Sequence, residues 1–162
     1  MRCKGSLFAS ITLGALVFLF TALAPSASFA DIQGKIEGTW RVSITGGPGT
    51  PPLPDWYGAL ATFIRGGALI QTITDPFIGT GHGQWKKVHS RDFAITTFLF
   101  QFDASGNFLG TLKARATLTL NDKGDEFTSD QYLFEFFDPD GHLQTSGVGK
   151  AHGTRIQVEP LP

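Results

Sequence analysis

The side chains able to do chemistry are few and scattered. Four histidines, His82, His89, His142 and His152, are the natural groups for metal ligation or proton transfer near neutral pH. His142 follows Gly141 in a turn, His82 lies between Gly81 and Gly83, and His89 alternates with Trp85 and Lys87. No two share the short same-face spacing that would bring their nitrogens to about 2 Å from one metal ion. A haem iron would need His82 or His152 aimed inward as an axial ligand. Asp138 and Asp140 alone supply too few oxygens for calcium. The chain has no Gly-x-Ser-x-Gly, no phosphate loop and no His-Glu-x-x-His, and its sole cysteine is Cys3, at the very front. No metal site and no cofactor are predicted. These absences weaken an enzyme reading.

The aromatic residues carry more information. Trp40 and the sets Phe98, Phe100, Phe102 and Tyr132, Phe134, Phe136 occupy alternate positions of apolar segments. Alternate residues of a strand share a face, so these rings are expected to converge on one interior. An apolar wall with a few polar handles is the chemistry of a small-molecule site, and Tyr132 offers the one hydroxyl. The same rings could instead fill a solid core, each burying about 150–250 Å². Gly147, Gly149, Ala151 and Gly153, also alternating, leave space beside them. The ligand-binding set read from this pattern is Trp56, Tyr57, Phe98, Phe100, Tyr132, Phe134 and Phe136.

The elements that must position these residues are strands. Period-two alternation, broken by turn residues every ten or so positions, recurs through the chain and marks an all-β sandwich or barrel. Eight segments are predicted. The first runs from Ile36 to Thr45, with Gly38, Trp40, Val42 and Ile44 on one face. Gly46 to Gly58, with four prolines, reads as a loop that ends at Trp56 and Tyr57 and could act as a lid. Ala59 to Arg65 and Ala68 to Thr74 form a hairpin across Gly66-Gly67. A glycine-rich connection, Gly79 to Gly83, leads to Trp85 to His89, and Phe93 to Phe102 follows. In that strand Phe98, Phe100 and Phe102 are expected inside, and Ile95 and Leu99 outside.

The second half is a meander with rhyming turns. Phe102-Asp103-Ala104-Ser105-Gly106 and Phe137-Asp138-Pro139-Asp140-Gly141 share one pattern, and Asn121-Asp122-Lys123-Gly124-Asp125 is a third turn of this kind. In each, an Asp or Asn accepts from amides ahead of it and a Gly closes the hairpin. Leu112, Ala114, Ala116, Leu118 and Leu120 alternate with Lys113, Arg115, Thr117 and Thr119, placing Lys113, Arg115 and Glu135 on the outer face. The last strand extends from Leu143 to about Val158.

Residues 1–30 read as a cleavable secretory signal: Arg2 and Lys4, the apolar run Leu7 to Leu23, and the small-x-small site Ser28-Phe29-Ala30. The remaining 31–162 suits one domain, with no membrane span after processing and a secreted or periplasmic location. Two of the thirteen Lys and Arg fall in the leader and none of the fourteen Asp and Glu, which leaves 11 against 14 and a net charge of −3. That balance argues against nucleic acid as a partner.

Eight consecutive antiparallel strands leave two sheet edges, and pairing the first with the last removes both. The expected fold is therefore an all-β, eight-stranded antiparallel up-and-down barrel. Gly38-Thr39-Trp40 in its first strand, followed by a long loop, with Arg155 in its last, resembles the Gly-x-Trp and terminal arginine of the lipocalins and the wider calycin superfamily. The resemblance implies that Arg155 packs across Trp40 as a structural pair closing one end. The sequence also has some likeness to the allene oxide cyclase and dirigent type of barrel. Two functional expectations follow: a barrel that binds a small apolar molecule against an aromatic wall, or a barrel enzyme acting on a small hydrophobic substrate. Ile95 and Leu99, if outward, would make a homo-oligomer possible. Function is expected at the mouth opposite Trp40, near Trp56, Tyr57 and His82.

Overall fold

A computed structural model of the chain describes residues 36–47, 53 and 57–161. Eight strands follow one another: β1 Gly38–Gly46, β2 Gly58–Phe63, β3 Ala68–Ile73, β4 Gly81–Lys87, β5 Asp92–Phe102, β6 Phe108–Leu120, β7 Glu126–Phe137 and β8 Leu143–Arg155. Each pairs antiparallel with its sequence neighbour, and β8 pairs with β1 through Trp40 opposite Arg155 and Ile44 opposite Ala151. The sheet closes into an up-and-down barrel without a free edge.

Alternation sets which residues face the lumen. On β6 Leu112, Ala114, Ala116, Leu118 and Leu120 are buried while Arg115, Thr117 and Thr119 are exposed. On the outer face, Glu135 pairs with Arg115 Nη2 at 3.0 Å and Lys113 Nζ at 3.8 Å. The track on β8 is as bare as its sequence: Gly149, Ala151 and Gly153 face inward, and a Cβ on Gly153 would lie 2.3 Å from the Phe127 ring. The missing side chain at Gly153 lets the Phe127 ring of the neighbouring strand β7 lie over β8.

The turns take their shape from side-chain oxygens. Asp103 Oδ1 accepts from the amides of Ser105 and Asn107, at 2.8 and 2.9 Å. Asp138 Oδ1 accepts from those of Asp140 and His142, at 3.0 and 2.8 Å, and Asn121 Oδ1 does the same for Gly124 and Asp125. These bonds favour the ionised carboxylate, so both aspartates titrate below the usual range, chiefly through Asn107 for Asp103 and the His142 amide for Asp138. The β2–β3 hairpin turns on Gly66 and Gly67, with φ of +92° and +98°, the two successive positive values of a tight mirror-image turn.

Two features depart from the sequence reading. On β5 the inner residues are Phe93, Ile95, Thr97 and Leu99, all buried, so Phe98, Phe100 and Phe102 occupy the other phase. Phe98 and Phe100 are 48% and 57% exposed. The pairing dictates this, because Phe98 lies opposite Lys113 and Phe100 opposite Thr111, and cross-strand partners share a face. Ile95 and Leu99 thus belong to the core and do not form the outward apolar surface expected of them. On β7 a bulge between Ser129 and Tyr132 shifts the register, so Phe127 and Ser129 face inward before it and Tyr132, Phe134 and Phe136 after it.

Candidate ligand cavity at the open end

Because successive strands reverse direction, the connections after β1, β3, β5 and β7 gather at one end of the barrel. The other end holds the remaining turns together with Ile36 and the segment after Arg155. This second end is plugged with rings. Trp40 meets Phe127 at 5.0 Å between centroids, Phe127 meets Phe63 at 6.3 Å, Phe63 meets Trp85 at 6.2 Å, and Trp85 meets Phe93 at 6.0 Å. Arg155 covers the plug from outside, its guanidinium carbon 4.3 Å from the Trp40 ring centroid. Its Nε donates to the Gly124 carbonyl at 2.8 Å and its Nη1 to the Glu37 carbonyl, while Trp40 Nε1 donates to the Ile36 carbonyl at 2.9 Å. Each of these three donors ends on a backbone oxygen.

The opposite end is hollow. A cavity of about 190 Å³ is lined by Ile44 of β1, Leu53 and Tyr57 of the following loop, Ile73 of β3, Leu112 of β6, and Tyr132, Phe134 and Phe136 of β7. Six of the eight contribute only carbon to the wall. Phe134 and Phe136 pack edge to face at 5.9 Å, which holds both rings against the lumen.

The cavity ends at a polar bridge. The Tyr132 hydroxyl accepts a hydrogen bond from Gln71 Nε2 at 3.1 Å, and both residues are buried. β3 and β7 stand four strands apart in a ring of eight, so this bond crosses the barrel from wall to wall. Beyond it lies a void of only about 10 Å³, lined by Gln71, Tyr132 and residues of the plug including Phe63 and Phe127. That is about the space of a single water. Tyr132 borders both spaces and separates them.

Both tyrosines of the cavity hold their protons tightly. Burial, then the Asp75 carboxylate, then Tyr132 push the Tyr57 hydroxyl up to about 12. Burial raises Tyr132 too, against the opposing bond from Gln71. At neutral pH the described residues of the wall are uncharged.

Of the ligand-binding residues read from sequence, Tyr57, Tyr132, Phe134 and Phe136 come together on this wall. Trp56 lies outside the described residues. Phe98 and Phe100 do not line the cavity: they sit on the outer face, where Phe100 meets Phe108 edge to face at 5.7 Å and Lys113 Nζ lies 5.8 Å from the Phe98 ring. Ile44, Leu53, Ile73, Leu112 and Gln71 were missing from that set. Gln71 carries the clearest sequence signal, as the one polar residue between Leu69 and Ile73 on an otherwise apolar face.

All four histidines are exposed. His82 is the second residue of β4, at the open-end start of that strand, but it is exposed on the outer face opposite Phe98 and does not line the cavity. His152 is on the outer face of β8. Ligand atoms of Asp138, Asp140 and His142 lie within 4.8 Å of one another. The Asp138 oxygens are already engaged by the turn amides, by Gln144 Nε2 at 2.8 Å and by His142 Nδ1 at 3.3 Å, which accounts for the clustering.

No protein-family model and no curated protein matches the chain. Among solved structures, the chain is similar to that of EF1p2_mFAP2b bound to DFHBI, at 18% identity and a TM-score of 0.49, over 80% of this chain and 100% of that one. A likeness of that degree bears on neither family nor function.

Proposed function

We propose that the protein is a binding barrel of calycin type that holds one small, largely apolar molecule in the open-end cavity. Processing after residue 30 would leave the single domain 31–162 in a secreted or periplasmic location. The observation that carries this reading is the contrast between the two ends: a plug sealed by five rings and Arg155, and a hollow lined by carbon. A folded core ordinarily closes such a space, because each contact forfeited around a void costs dispersion energy. The volume sets the scale of the occupant. An engineered apolar cavity of about 150 Å³ in another protein takes up benzene, so about 190 Å³ suits a single ring with small substituents. The calycin assignment is supported by Gly38-Thr39-Trp40 on β1 and the stacked Arg155 on β8.

The alternative, a cyclase or isomerase barrel, draws support from the polar pair Gln71 and Tyr132 within the lumen. The wall fits binding better than acid–base catalysis. Its two ionisable groups are tyrosines pushed away from neutrality, whereas a general acid or base works best with a pKa near the operating pH. Calorimetric titration of the folded protein with toluene tests the proposal. One saturable site is expected, and absence of binding for both toluene and cyclohexane would remove the reading.

A further inference from the structure

Tyr132 reaches across the lumen as a buried residue, 5% exposed, and among the described residues its hydroxyl makes one hydrogen bond. Gln71 Nε2 donates to it, which leaves the phenolic O–H itself without an acceptor among the described residues. A buried donor left unmade costs more than a made bond returns. Among the described residues of the wall, Ile44, Leu53, Ile73, Leu112, Phe134 and Phe136 present no polar side-chain atom, and Tyr57 carries the only other hydroxyl. With the Gln71 amide set so, a molecule filling the cavity is the natural source of an acceptor.

The same wall limits the charge of that occupant. Among the described residues no Lys, Arg or His lines the cavity, and Arg155 lies at the far end over Trp40. Among the described residues, the charge acting on a wall hydroxyl is negative, the Asp75 carboxylate felt by Tyr57. A carboxylate placed here would find only neutral O–H donors, with no cation among the described wall residues to offset its desolvation, and would be repelled by Asp75.

We propose that the molecule held in the cavity carries one uncharged oxygen function, a hydroxyl or carbonyl, which accepts the Tyr132 O–H, and that carboxylates are excluded. A hydroxyl also suits the reversed setting of the Gln71 amide, in which Tyr132 donates to Gln71 and its free lone pair accepts from the ligand. This inference rests on the binding reading above and specifies the chemical class of its ligand.

The test is a matched series of one-ring probes, toluene, p-cresol and p-toluate, titrated calorimetrically into the full-length folded protein and into Tyr132→Phe and Tyr57→Phe. In the wild type, p-cresol is expected to bind at least as tightly as toluene despite the greater cost of desolvating it, and p-toluate about a hundredfold more weakly. In Tyr132→Phe the ratio of p-cresol to toluene affinity should fall about tenfold, the worth of one buried hydrogen bond. Comparable binding of p-toluate, p-cresol weaker than toluene in the wild type, or a loss confined to Tyr57→Phe would each overturn the inference while leaving the apolar site intact. Failure of toluene to bind would remove the binding reading and this inference with it. Should Tyr132→Phe not fold, the three wild-type affinities decide alone.

Discussion

Replacing Arg155 by alanine should destabilise the barrel without touching the cavity. The substitution removes the guanidinium from the Trp40 face, a contact worth about 1–2 kcal/mol at a partly desolvated site. It also strips the Gly124 and Glu37 carbonyls of their donors, each worth about 0.5–1.5 kcal/mol net. The total is roughly 2–5 kcal/mol. For a barrel of this size, at roughly 4 °C per kcal/mol, the thermal midpoint should fall by roughly 8–20 °C. Arg155→Lys should recover less than half, because an ammonium cannot lie flat on the ring and reach both carbonyls at once. Circular dichroism melts of the three proteins give the midpoints, and toluene titration at 20 °C gives the cavity. A fall under about 1 kcal/mol would refute the role of Arg155 as the seal of the plug. A weakened toluene site with an unchanged midpoint would refute the separation of the two ends.

Two further outcomes are expected. Tyr57 and Tyr132 are the only tyrosines of the chain, so alkaline difference absorbance reads them without background. The folded protein should form little tyrosinate at pH 10, where an exposed tyrosine is half ionised, with Tyr57 titrating near 12. Since the folded state keeps this proton longer than the unfolded chain does, its contribution to stability is complete below pH 10 and is lost as the pH rises towards 12; half-ionisation of both residues at pH 10 in the intact fold would contradict the burial. Separately, Leu112→Trp fills the cavity and should weaken toluene binding at least about tenfold, as the displaced contacts imply, whereas Phe98→Ser and Phe100→Ser on the outer face should leave it within about twofold. Equal losses in the inner and outer variants, measured by the same titration, would place the ligand elsewhere.

The fold was legible because alternation and turn chemistry agree along most of the chain. Leu112 to Leu120 alternates with threonines and basic residues, and the Asp-x-x-Gly turns sit where the amides need an acceptor. The misjudged strand was the one apolar on both faces. On β5, weight given to three phenylalanines favoured the even phase, but Asp92, Ala94 and Thr96 share that phase, while Phe93 and Ile95 mark the other. The hairpin closed by Asp103 and Asn107 pairs Phe98 with Lys113, so the polar face already assigned to β6 determines that of β5. The bulge at Asp130 and Gln131 hid Phe127 from the inner set for a related reason: one extra residue reverses parity, and two adjacent polar residues between Ser129 and Tyr132 are its only trace in sequence.

Half of the cavity wall could be read in advance and half could not. Tyr132, Phe134 and Phe136 stand out as rings in regular alternation. Ile44, Ile73 and Leu112 look like any core aliphatic, and what makes them a wall is the absence of a filling residue opposite, a property of three-dimensional packing. The bridge from Gln71 to Tyr132 joins residues 61 positions apart on strands that never pair, so no local pattern encodes it. The end of the barrel at which to look was nonetheless implied by Trp40 and Arg155, because a sealed end defines an open one.

Anomalous diffraction from crystals of the protein soaked in bromobenzene tests the central claim most directly, since bromine reports position as well as occupancy. A single bromine peak within the barrel, bounded by Ile44, Leu112, Tyr132 and Phe134, is the predicted result. An empty lumen, with bromine only against Phe98, Phe100 and Phe108 on the outer face or bound nowhere, would contradict it.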